Sequence, residues 1–202
     1  MNIIDKYIEE ALIFNDDDMK YKFEDWVSGK NKVLLVVGYA GSGKTTLGKE
    51  LAKKHNVKYK TTDEDKIPGL DELWENLKKK HPDTFTTGSA IDTYSDEANE
   101  MFLKYAGPIV YKYINQIRTP TIWEGIHLLW WLTPEQFSKF SVLVKGTSHI
   151  TSTTRAIKRN LKRNEGNEKN LPWYKLAWWT MSDNIKIQPT YNKLVRYLKD
   201  KK

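Results

Sequence analysis

The chain has 202 residues, 39% of them hydrophobic and 29% charged, enough for one sizeable core and too rich in apolar residues for a disordered chain. It contains no cysteine, which excludes disulfides, thiolate metal centres and a thiol nucleophile, and its longest apolar runs, such as Val33–Val37 and 128–132, are too short to cross a membrane. A net charge of +7 favours anionic partners: nucleotides, phosphorylated metabolites or nucleic acid.

The first residues, MNIIDKYIEE, mix acids into apolar positions and read as an amphipathic helix, not a signal peptide. A cytoplasmic protein is expected. Helices are expected over 2–14 and 20–28, ahead of a first strand at Val33–Val37 and a helix over 44–55. A second strand at 57–61 ends at Thr62-Asp63, and Leu70, Leu73, Trp74 and Leu77 carry helical spacing to residue 80. A long helical region over 92–118 is expected to break near Gly107-Pro108. Strands follow at 120–124 and 140–145, then a basic helix over 151–164 and closing helices at 172–181 and 190–198. Strands alternating with helices give an α/β fold, a parallel sheet covered on both faces.

Between the first strand and its helix stands GYAGSGKTT, a match to G-x-x-x-x-G-K-[ST] in the required context. Gly38, Gly41 and Gly43 let the backbone curl so that N–H groups, including those of Ser42, Thr45 and Thr46, surround phosphates at a helix N-terminus. Lys44 reaches the outer phosphates, and the Thr45 hydroxyl holds Mg2+. Nucleotide binding, with ATP and Mg2+ as cofactors, is the expectation.

What accompanies the loop separates the uses of a nucleotide. Neither Asn-Lys pair, at Asn31 or Asn192, continues into the Asn-Lys-x-Asp motif of common GTPases. The third strand ends on Glu124-Gly125 instead of the consecutive acids usual in motor ATPases. Small P-loop kinases need a carboxylate near the acceptor hydroxyl and a basic lid, and both have candidates. Asp63 ends the second strand, where parallel sheets present residues to a ligand cleft, and is placed to accept the acceptor's proton; Glu64 and Asp65 lie beside it as alternatives. Glu124 is a candidate for Mg2+ or the acceptor, and His127 for the acceptor. Arg155, Arg159 and Arg163 recur at i, i+4 and i+8 on one helix face, suited to phosphate oxygens. His149 precedes this segment; an ordinary hydrogen-bonded histidine is the simpler expectation for both histidines. No spacing suggests zinc.

The set GYAGSGKTT, TTDED, TIWEGIHLL and TRAIKRNLKRNEG resembles the uridine kinase and phosphoribulokinase group of P-loop kinases. EGIHL is also similar, more distantly, to 2-phosphoglycerate kinases, and the layout to the zeta-toxin-like P-loop kinases common in phage genomes. The resemblance covers roughly residues 33–166 and is strongest in the glycine loop. It implies a three-layer fold with a central parallel sheet of four to five strands and 150–167 as an arginine-rich lid; with the helical preface read over 1–30, the chain is expected to form one domain, 1–202. It also implies a base at Asp63 and transfer of the ATP γ-phosphate to a nucleoside-like or sugar-like hydroxyl. Two alternatives are kept: a kinase of a hydroxymethylated base within DNA, suggested by the basic charge with eight tryptophans and eleven tyrosines, and an ATPase or switch without an acceptor.

Overall fold

The computed structural model of the chain describes residues 18–85, 96–164 and 172–202. The helix expected over 2–14, residues 92–95 of the long helical region and the end of the proposed lid at 165–167 lie outside the described residues.

Five strands form one sheet: β1 (Met19–Tyr21), β2 (Val33–Val37), β3 (Lys58–Thr61), β4 (Thr121–Glu124) and β5 (Ser141–Val144), in the spatial order β1-β5-β2-β4-β3. β2 sits at the centre, parallel to β4 and β5, and β3 continues the parallel set beside β4. Every residue of β2 is buried because helices cover both faces. Leu35 and Val37 join one core cluster and Leu34 and Val36 the other, the period-two alternation of an extended chain.

The helices are α1 (Phe23–Val27), α2 (Lys44–His55), α3 (Leu70–Lys80), α4 (Asp96–Asn115), α5 (Leu128–Trp131), α6 (Pro134–Phe137), α7 (His149–Asn164) and α8 (Trp173–Asp200). On one face Phe23 and Trp26 of α1 and Leu47 and Leu51 of α2 pack against Leu34, Val36, Ile122 and Leu143. On the other, Val110 and Ile114 of α4, Leu128 of α5, Phe137 of α6 and Ile187 and Leu194 of α8 enclose Leu35, Trp123 and Val142. The result is a three-layer α/β fold. A smaller cluster joins Leu77 of α3 to Phe85 and Ala98, with Trp74 edge-on to Phe85 and Phe102 at 5.0 Å. No helix among the described residues is long and apolar enough to cross a membrane.

Three expectations are corrected. The sheet is mixed, because β1 runs antiparallel to β5 with Met19 opposite Val144 and Tyr21 opposite Val142. Residues 20–28 are therefore not one helix: the free edge of β5 recruits Met19–Tyr21, and only Phe23–Val27 is helical. A three-residue strand is too short to show alternation in sequence.

The second correction is at Gly107-Pro108, where α4 runs through without a break. Gly107 marks the crossing with α5, since a Cβ there would lie 2.5 Å from the Trp131 carbonyl oxygen. The third is at the C-terminus, where the two expected helices are the single α8 despite Pro189. Ile187 and Leu194, both buried, straddle that proline; their packing outweighs a lost backbone hydrogen bond and ring clash worth about 3 kcal/mol.

Candidate active site

The glycine loop connects the carboxyl end of β2 to the first residue of α2. Gly41 and Gly43 have φ of 82° and 91°, in the left-handed region that side chains disfavour. The Ser42 N–H donates to the Tyr39 carbonyl at 3.1 Å, tightening the curl, and Gly43 caps α2, its carbonyl accepting the first helical bond from Leu47 at 3.1 Å. The N-terminus of a 12-residue helix thus opens where the loop ends.

Lys44 is buried. Its ammonium donates to the Tyr39 carbonyl at 3.3 Å and lies 3.5 Å from Glu124 Oε1. Burial pulls its pKa below the ordinary lysine value, and the charges of Glu124 and Asp63 pull the other way. Glu124, the last residue of β4, is 3% exposed. Its Oε2 accepts the Thr45 hydroxyl at 3.2 Å and the Tyr59 hydroxyl at 2.9 Å, so three donors meet one buried carboxylate. Burial, and then the Glu124 charge, push the Tyr59 phenol well above its usual range, which keeps it a donor. The Tyr59 ring reaches Glu124 across Gly48 of α2, where a Cβ would stand 2.8 Å from Tyr59 Cε2.

Glu124 and Asp63 are brought together by register. Thr61 pairs with Glu124, and the Thr62 N–H donates to the Glu124 carbonyl at 2.9 Å. A side chain at Gly125 would collide with Thr62, which is why a glycine follows the glutamate. The Asp63 side chain is 70% exposed, with Oδ1 3.6 Å from His127 Nδ1. That nitrogen also lies 3.2 Å from the Thr62 hydroxyl. Burial lowers the His127 pKa, Asp63 raises it and Lys44 lowers it again, so the imidazole is neutral at pH 7 and the contact with Asp63 is a polar contact, not an ion pair. The ring stacks on Trp131 at 5.5 Å and meets Trp130 edge-on at 5.5 Å. Of the neighbouring acids, Asp65 turns back on its own strand, its Oδ2 accepting from the Thr61 N–H at 2.8 Å. Glu64 is exposed.

The arginine helix α7 is seated firmly on its inner side. Ser152 and Ala156 are buried, and a Cβ at Gly41 would run into the Ser152 carbonyl and the Ala156 backbone. Asn160 Nδ2 donates to the Thr180 hydroxyl of α8 at 3.0 Å. Arg155 and Arg159 are on the exposed side, and the Arg159 charge reaches Lys44, lowering its pKa. Arg163 belongs to α7, but its side chain lies outside the described residues. Thr46 is exposed in the first turn of α2. His149 lies edge-on to Tyr39 at 5.3 Å, which places it in an aromatic cluster.

The site thus gathers Lys44, Thr45 and Glu124 in a buried group, with Asp63 and His127 beside it. Tyr59 and Thr62 enter it without any sequence signal: each acts through a neighbour that only the folded chain supplies. The donor set suits Mg2+ with a nucleotide, because Mg2+ needs few protein ligands and takes the rest from phosphate and water. A hydroxyl and a carboxylate fit that pattern. Among the described residues no group of three or more His, Asp or Glu forms a dedicated metal cage.

No family model matches the chain, and no curated protein matches it. Two solved structures similar to it are shikimate kinases. One, from Acinetobacter baumannii in complex with shikimate, is 14% identical with a TM-score of 0.44, over 81% of this chain and 80% of that one. The other, from Bacteroides thetaiotaomicron, is 22% identical with a TM-score of 0.38, over 80% of this chain and 81% of that one.

Proposed function

We propose that the protein is an ATP- and Mg2+-dependent phosphotransferase that moves a phosphoryl group to a hydroxyl of a small nucleoside-like or sugar-like acceptor. One observation carries this: the buried Lys44–Glu124 pair of a glycine loop adjoins an exposed carboxylate, Asp63, whose charge is felt at Lys44. An ATPase uses a carboxylate to polarise water, whereas a kinase needs one open to a substrate hydroxyl, and Asp63 stands exposed beside the buried pair.

When bound, ATP and Mg2+ supply the phosphoryl group and the positive charge that balances it. The loop's backbone N–H groups, apart from those of Ala40 and Ser42, which bond within the protein, would hold phosphate oxygens, and Lys44 would exchange its contact with Glu124 for them. The Thr45 hydroxyl, with Glu124 beside it, would hold the metal. Asp63 accepts the proton of the acceptor hydroxyl as the new P–O bond forms and the bond to the leaving diphosphate breaks. His127 and Trp131 offer a flat surface on which a ring-shaped acceptor can rest. Arg155 and Arg159 neutralise charge from the α7 side, and Arg163 extends their spacing.

The test is transfer from γ-labelled ATP to nucleosides, sugars, glycerate and DNA carrying hydroxymethylated bases. Label on a free sugar or nucleoside is the expected result. Label on the DNA alone moves the acceptor into the polymer; label recovered only as inorganic phosphate overturns the kinase and leaves an ATPase.

A further inference from the structure

The outward part of the glycine loop, residues 39–41, is held from behind by side chains of α7 and α8. Tyr39 stacks on Tyr191 of α8 at 4.5 Å with 29° between the rings, and Gly41 rests on the backbone of α7. Between them, Ala40 is bonded at both its backbone groups by one side chain. Asn184 Oδ1 accepts from the Ala40 N–H at 3.0 Å, and Asn184 Nδ2 donates to the Ala40 carbonyl at 3.3 Å. The second proton of Nδ2 goes to the Thr153 hydroxyl of α7 at 3.0 Å. Asn184 is 0% exposed.

A carboxamide is unusual in offering a donor and an acceptor at the spacing of a backbone N–H and C=O. Here it behaves like a strand partner to a single loop residue, with both of its Nδ2 protons and its oxygen engaged. The orientation of the amide follows from those partners. Buried polar groups left without partners are expensive, so the three bonds hold loop, α7 and α8 in one arrangement. They also fix the direction of the Ala40 N–H. The Ala40 N–H points back to α8, and at the other end of the loop a Cβ on Gly43 would meet nothing within 4 Å.

We propose that Asn184 is a positioning residue for the phosphate-binding loop: it fixes the backbone of Ala40 so that the loop is shaped for phosphate beforehand, and through Thr153 it couples the loop to the arginine-bearing helix. This rests on the reading that the loop binds a nucleotide. A pre-shaped loop spares the ordering cost at binding, so its loss is read as affinity for nucleotide.

The experiment uses the full chain and two readouts well below the melting temperature: hydrogen exchange at the amides of residues 40–44, and equilibrium binding of a fluorescent ATP analogue. For Asn184→Ala, exchange at Ala40 rises about tenfold or more and ATP-analogue affinity falls about tenfold; in turnover the KM for ATP rises while that for the acceptor stays put. Thr153→Val, which spares both loop bonds, gives a smaller loss. If Asn184→Ala does not fold, Asn184→Asp serves instead. It keeps the volume and the acceptor for Ala40 while removing both donors, and is expected to weaken the ATP analogue several-fold. A folded variant with a lower melting temperature but unchanged exchange and affinity overturns the assignment and leaves Asn184 a packing residue. Wild-type protein that does not bind the ATP analogue overturns the nucleotide reading itself, and the exchange data then decide whether the loop is held as described.

Discussion

The two halves of the candidate site are built differently. On the donor side, Glu124 is 3% exposed and takes bonds from Thr45 and Tyr59 beside the Lys44 ammonium. On the proposed acceptor side, the Asp63 side chain is mostly exposed, with Oδ1 3.6 Å from a histidine that is neutral at pH 7. The first half is rigid because each buried charge needs its partners. The second is open to solvent, as the proposed role of meeting an acceptor and taking its proton requires. Damage to the donor side should therefore appear in folding and in chemistry together, and damage to the acceptor side in chemistry alone.

The largest effect is expected from Lys44→Met. It leaves Glu124 buried without its cation, a change that costs about 3 kcal/mol of stability, and phosphate transfer is lost; denaturant unfolding and the transfer assay read both. Gly48→Ala drives a methyl into the Tyr59 ring and costs about 1–3 kcal/mol. Tyr59→Phe costs about 1.5 kcal/mol by removing one bond to a charged group. If Gly48→Ala is silent in calorimetry, the donor side is less tightly packed than its contacts indicate.

Asp63→Asn sharpens the comparison from the other side. Transfer should fall about a hundredfold or more with ATP-analogue binding retained, and stability should stay within about 0.5 kcal/mol because the residue is exposed. Normal transfer in that variant moves the base to Glu64, since Asp65 is committed to the Thr61 N–H.

The smallest effects are expected from pH. Burial lowers the His127 pKa, so its contribution to stability is fully present above about 6.5, the ordinary value, and is lost as pH falls through the folded value. Asp183 behaves oppositely. Burial raises it from 3.8 to about 6, so its contribution is fully present below the ordinary value and lost as pH rises through about 6. Asp183→Asn should raise the melting temperature at pH 7 and leave it nearly unchanged at pH 4. An equal shift at both pH values removes the carboxylate from the explanation.

Much of the fold is legible in the chain because local spacing carries it. The apolar run of β2, the glycine loop and the spacing of Leu70, Leu73, Trp74 and Leu77 each state their element within a few residues. The errors arise where tertiary packing overrides a local signal. Gly107-Pro108 reads as a break and 182–189 as a gap between two helices, yet α4 and α8 continue through them because Val110, Ile114, Ile187 and Leu194 are buried around Pro108 and Pro189. β1 is invisible in sequence because its reason for being a strand is the edge of β5, more than a hundred residues away.

The candidate site divides in the same way. GYAGSGKTT by itself names a phosphate-binding loop and Lys44 and Thr45 within it, because all its parts are covalently adjacent. Asp63, Glu124 and His127 stand out in sequence as residues at strand ends, but their grouping comes from the β3–β4 register. Tyr59 below Glu124 and Asn184 behind Ala40 are decided by tertiary structure alone, since a hydrogen bond between residues 65 or 144 positions apart leaves no periodicity to read. Short-range geometry was written in the chain; burial, register and the partners of each charge existed only once it had folded.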